Sequence, residues 1–138
     1  MTRVCALALV LLLAGCLTLA DVPRYKSEGR AETYPVTVDE AWTIARAVFR
    51  WGGADVIEEH RTEGYMLTTT GANVARRGTL MGAWVEPVDS THTRVTVVMK
   101  RPMQTSVFIT MTEAKFHQRF AESVDRLRAE RPLQKPGP

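Results

Sequence analysis

Three histidines, His60, His92 and His117, are the side chains best suited to bind a metal or move a proton near neutral pH. No two share a His-x-x-x-His spacing and none has a nearby cysteine. A metal site would need the fold to gather them with Glu58 or Glu113, so three unrelated surface histidines are expected. Glu58-Glu59 looks like a carboxylate pair. On a strand, however, neighbouring side chains point to opposite faces and cannot share a substrate. Ser27, Ser90, Ser106 and Ser123 have no nucleophile-elbow context. Gly78 and Gly82 are too sparse for a phosphate-cradling loop. Trp42, Trp51 and Trp84 could stack a ligand. Trp42 and Trp84 are instead expected to fill a core between helix and sheet, with Trp51 partly exposed. Arg76-Arg77 could touch anionic headgroups. Trp84, Arg76 and Arg77 are therefore the candidate binding surface. No catalytic residue, metal ligand set or cofactor is expected, and the chain reads as non-catalytic.

The bulk composition points the same way. The 138 residues suit a single domain, and 45% hydrophobic with 24% charged residues suits a globular one. With Arg3 in the leader described next, 17 basic and 15 acidic residues remain, a net of +2 with no basic stripe. That speaks against a nucleic-acid partner.

The two cysteines lie near the front. Met1-Thr2-Arg3 is a short positive region, Val4 to Leu13 is an unbroken apolar run, and Leu13-Ala14-Gly15-Cys16 follows. This is the layout of a secretory signal, which is short for a membrane span. Leu-Ala-Gly-Cys resembles the bacterial lipobox. The resemblance implies cleavage before Cys16, acylation of that cysteine and palmitate among its acyl chains. Each buried CH2 contributes about 0.8 kcal/mol, so several chains would hold the protein on a membrane almost permanently. By resemblance to enterobacterial lipoprotein sorting, Leu17 rather than Asp after the cysteine implies the outer membrane, facing the periplasm. Ordinary cleavage after Thr18-Leu19-Ala20 is the alternative and would release a soluble protein. With Cys5 removed and Cys16 lipidated, the folded part has no thiol for a disulfide or a metal. Residues 1–15 thus read as signal peptide, 16–30 as lipidated cysteine and tether, 31–130 as one domain and 131–138 as a disordered tail.

The domain must then position whatever surface acts. Ala31 to Val36 reads as a strand. Thr37-Val38-Asp39-Glu40 is a capping box, and Ala41, Ile44, Ala45 and Val48 recur at helical spacing up to Gly52-Gly53. Asp55 to Arg61 and Tyr65 to Thr70 read as strands around a turn at Thr62-Glu63-Gly64, followed by a loop from Gly71 to Gly78. Thr79 to Val88 and Thr93 to Arg101 form a hairpin through Asp89-Ser90-Thr91-His92. Gln104 to Thr110 is a loop or a further short strand. A second helix starts near Thr110 to Glu113 at capping-box spacing, with Phe116, Phe120, Val124 and Leu127 on one face. The expected fold is α+β, an antiparallel four- to five-stranded sheet with two helices in the order β-α-β-β-β-β-α, after an N-terminal signal helix.

Both faces of the hairpin are apolar. One would show Leu80, Trp84, Val95, Val97 and Met99, the other Met81, Ala83, Val85, Thr96 and Val98. The second face is therefore expected to be covered within the fold, or else kept for a partner.

With the lipobox, Glu32 to Trp42 and Thr93-Arg94-Val95-Thr96-Val97 resemble segments of a group of small bacterial envelope lipoproteins with a domain of unknown function. The layout is also loosely similar to the helix-grip domains of the lipoprotein in the outer-membrane β-barrel assembly machine. The resemblance implies a fold and an anchor, with the membrane and an envelope protein as partners, and supplies no active-site residue. Two other functions stay open. One is a periplasmic small-molecule or lipid binder with a pocket lined by Trp42, Trp84, Phe116 and Phe120. The other is a hydrolase, which would need two histidines and a carboxylate in one cleft.

Overall fold

The computed structural model describes residues 15, 17–54, 56–70, 78–101, 111–130 and 132–133. After a 3-10 helix at Leu19–Glu28 come β1 (Arg30–Tyr34), α1 (Val38–Trp51), β2 (Ile57–His60), β3 (Tyr65–Thr70), β4 (Thr79–Pro87), β5 (Thr93–Lys100) and α2 (Glu113–Arg128). The fold is α+β in the order the sequence implies. All five strands form one sheet in the order β1-β5-β4-β3-β2, every pair antiparallel. The α1 connection carries the chain from one edge strand to the other.

α1 is specified locally at both ends. Thr37 Oγ1 accepts from the Glu40 amide at 3.3 Å, and Glu40 Oε2 accepts from the Thr37 amide at 2.8 Å. This capping box satisfies two of the donors that a helix start leaves unpaired. At the other end Gly53 has φ +93°, a conformation that favours glycine. Its amide donates to Arg50 O and the Ala54 amide to Phe49 O, both at 3.0 Å, which together form a Schellman cap. Ala41, Ile44, Ala45, Val48 and Phe49 are buried between these ends, with Trp42 beside them. α1 is also tied to the β2 edge. Arg46 Nε donates to Glu59 Oε1 at 2.5 Å, and the Arg61 guanidinium lies 4.7 Å from the Trp42 ring centre.

α2 starts within the expected span, at Glu113, but with a different cap. Thr112, rather than Thr110, is the N-cap, and its side chain accepts from the Lys115 amide at 3.1 Å. The Glu113 carboxylate is used elsewhere, accepting from the Met99 amide on β5 at 3.1 Å. Phe116, Phe120 and Val124 are buried as expected, whereas Leu127 is 37% exposed near the helix end. Tyr34, Phe49, Phe116 and Phe120 pack ring against ring, with centroids 4.4 to 6.0 Å apart, on the side of the sheet that both helices cover. Leu133, in the expected tail, packs half-buried on this core.

The hairpin register differs from the one expected. Pro87 pairs with Thr93, so the loop runs from Val88 to His92, one residue longer than the four read from the sequence. Asp89 holds this loop. Its Oδ1 accepts from the Thr91 and His92 amides at 2.8 and 2.7 Å, which, led by the Thr91 bond, lowers its carboxyl pKa to about 2. A one-residue change of register moves a whole strand's pattern to the other face. Met81, Ala83 and Val85 therefore lie with Val95, Val97 and Met99 under the helices, while Leu80 and Trp84 lie with Val98 on the far face. Trp84 is thus on the side of the sheet opposite Trp42.

That far face is covered within the fold. Residues 16–30, expected to be a tether, include the 3-10 helix, which crosses β3, β4 and β5 as a strap. At about 2.0 Å per residue its ten residues reach about 20 Å, ample for three strands about 4.8 Å apart. Val22 is wholly buried among Leu67, Leu80, Trp84 and Val98, with Leu17, Leu19 and Tyr25 packing around them. Gly82 makes the seat. A Cβ there would stand 2.9 Å from Val22 Cγ1 and 2.9 Å from Trp84 Cη2. Lys26 to Glu86 at 2.5 Å and Lys100 to Glu28 pin the strap's later turns. Burying one side chain of valine or leucine size stabilises by about 1.5–3 kcal/mol, so the strap is a third layer of the fold.

Gly82→Ala is expected to destabilise the domain by about 1–3 kcal/mol through overpacking. Denaturant midpoints followed by tryptophan fluorescence check this, with Ser90→Ala in the exposed hairpin loop as the unaffected reference.

Candidate functional site

The junction between the strap and the chain before it is the first candidate. Cys16, Arg76 and Arg77 lie outside the described residues, as does the Gln104 to Thr110 segment. Gly15, which precedes the cysteine, is exposed. Leu17 is half-buried on the strap core, and the Thr18 amide and hydroxyl donate to Asp21 Oδ2 at 2.9 and 2.8 Å. The bond from the Thr18 amide is the main reason the Asp21 carboxyl is held below its usual range. Among the described residues, no helix is long and apolar enough to cross a membrane.

Trp84 does not contribute an open surface. It is 5% exposed, roofed by the strap and flanked by Tyr65 with ring centres 5.9 Å apart. The four aromatic residues expected to line one pocket are therefore divided by the sheet. Trp42, Phe116 and Phe120 lie under the helices, and Trp84 lies on the far face. Trp51 is half-buried, as expected, with the Arg119 guanidinium 4.2 Å from its ring centre.

The histidines stay apart. His60 stacks on Tyr65 at 4.6 Å, with its Nε2 3.6 Å from Glu58 Oε2, too far for a hydrogen bond. His92 belongs to the hairpin loop, 3.2 Å from Asp89 Oδ1. Glu58 and Glu59 diverge as expected. Glu59 meets Arg46 of α1, whose hydrogen bond is the chief cause of its lowered pKa, while Glu58 points toward His60. Among the described residues, no three His, Cys, Asp or Glu side chains are grouped so as to hold a metal ion.

His117 is not on the surface, contrary to expectation. It is 2% exposed, between α2 and the edge strand β1. Its Nε2 lies 2.9 Å from the Arg30 carbonyl oxygen and its Nδ1 2.7 Å from Tyr34 Oη. A carbonyl can only accept, so Nε2 carries the proton. In the neutral ring Nδ1 then accepts from the Tyr34 hydroxyl. Tyr34 Oη is also 3.2 Å from Glu32 Oε2, whose other oxygen accepts from Arg30 Nε at 2.9 Å. Burial lowers the His117 pKa, partly offset by the bond to Arg30. Burial first, then the Glu32 charge, raises that of Tyr34. Both groups are thus neutral at pH 7, and the cluster works as a polar clamp between helix and edge strand. The one sequence signal for it was helical spacing, since His117 stands three residues before Phe120 and seven before Val124.

Comparison of the chain with family models, with curated proteins and with solved structures finds no match.

The clamp makes stability depend on pH. Because the folded-state pKa of His117 is lowered, the unfolded chain binds the extra proton more readily. This contribution is complete above about pH 6.5 and declines as pH falls from there toward the folded-state value. His117→Phe is expected to remove that part of the pH dependence. It should also cost about 1–3 kcal/mol at pH 7.5, because the Arg30 carbonyl loses its partner. Urea unfolding of both proteins between pH 5 and 8 checks both outcomes.

Proposed function

We propose that this chain is a lipid-anchored bacterial envelope protein. It is acylated at Cys16, held on the membrane facing the periplasm, and acts as a non-catalytic interaction or structural module. One observation carries the reading: Leu13-Ala14-Gly15-Cys16 at the end of a ten-residue apolar run with a single preceding charge. Cleavage before Cys16 discards the run, and the acyl chains on the new first residue take over attachment. Leu17 in the following position supports the outer membrane. Arg76 and Arg77 are the residues of this reading that would meet an acidic partner surface or anionic headgroups, at about 1 kcal/mol each near a charged membrane.

The outcome expected for Cys16→Ala in a bacterial host is loss of the protein from the membrane fraction and loss of its acyl mass. A variant still fully membrane-bound, with the mass differing only by the substitution, would overturn the reading. Arg76→Ala with Arg77→Ala is expected to leave attachment unchanged while weakening crosslinks to envelope partners in intact cells.

A further inference from the structure

We propose that the strap side of this domain is its membrane-docking face, with the domain held flat on the lipid headgroups rather than swinging on a tether. This rests on the reading that Cys16 carries the anchor. The argument begins with chain length. Leu17 packs against the strap core, and the Thr18 and Asp21 bonds close the first turn of the strap. Between an acylated residue 16 and the folded domain there is thus one peptide link, which places consecutive Cα atoms about 3.8 Å apart. A flexible linker of about 12 residues would give an r.m.s. reach near 20 Å, and nothing comparable exists here.

Topology then sets the orientation. The strap crosses β3, β4 and β5 on the face opposite α1 and α2. The anchor therefore leaves the domain on the strap side. The exposed face of α2 is turned away, behind the sheet and a helix about 10 Å across. Charge fits a lipid surface of any composition. The strap carries Asp21, Arg24, Lys26 and Glu28, which sum to zero. Lys26 is paired with Glu86, Glu28 with Lys100, and Arg24 lies 3.6 Å from Asp21. Docking by the strap consequently follows from the anchor and needs no anionic lipid.

The absence of cysteine after Cys16 allows a clean test. Arg24→Cys, where the native side chain is 80% exposed on the strap, and Ala121→Cys, exposed on α2, are each labelled with a fluorophore in the acylated protein. The proteins are reconstituted in phosphatidylcholine vesicles that carry a nitroxide on the headgroup. The expected result is quenching several-fold stronger at position 24 than at 121, unchanged by added anionic lipid or by salt. Insertion of about 12 Gly/Ser residues between Leu17 and Thr18 should abolish the difference. Equal quenching at both positions in protein whose mass shows the acyl chains would overturn the docking and leave the anchor intact. A mass without acyl chains would overturn the anchor reading and the docking with it.

Discussion

The fold depends on one requirement: the β4–β5 hairpin is apolar on both sides, and both sides must leave water. A sheet with one wet face alternates apolar and polar residues. Here Met81, Ala83 and Val85 on one face and Leu80, Trp84 and Val98 on the other all need cover. Two amphipathic helices supply it on one side. On the other, the chain before β1 crosses the strands and places Val22 over Gly82, the one β4 position whose missing side chain leaves room for it. A five-stranded α+β sheet thereby becomes the middle of three layers, the third made from residues whose composition resembles a linker.

This requirement joins the fold to the proposed anchor. A lipid signal followed by a polar stretch ordinarily suggests a domain free to move away from the bilayer. In this chain the polar stretch is structural. Its charges are consumed in ion pairs with its neighbours, and its few apolar residues are inserted into the sheet. The segment that directly follows the proposed signal is the one that completes the core. At the opposite side of the molecule, the buried His117–Tyr34 pair fastens α2 to the edge strand β1, which directly follows the strap.

What the sequence disclosed and what it concealed follow from the range of the interactions. α1 was legible throughout because its signals are local: the capping box at Thr37 and Glu40, apolar spacing through Phe49, and glycine at the C-terminal end. Strand order along the chain was legible from alternation and turn residues. The hairpin register was not, since a loop of four and one of five residues both suit Asp89-Ser90-Thr91-His92, and one residue reverses every face. The strap was hidden because its apolar residues, of which Val22 alone is buried, are scattered among charged and small ones over ten positions and give no periodicity to read. His117 was hidden because its partners lie on a strand more than eighty residues earlier. Cys16 stands apart: the proposed lipobox is a local motif that would be read in the extended chain, so it is legible without any fold.

The most direct test of the strap as a layer of the fold is native-state amide hydrogen exchange on unacylated Cys16→Ala protein, where no membrane can order the segment. Local opening of a true tether costs almost nothing, while opening a packed layer approaches the cost of unfolding the core. The account requires the amides from Val22 to Glu28, apart from Pro23, which has none, to be protected by several orders of magnitude over free peptide and to lose about one to two of those orders in Gly82→Ala. Exchange of those amides at free-peptide rates, with β4 and β5 fully protected, would contradict it.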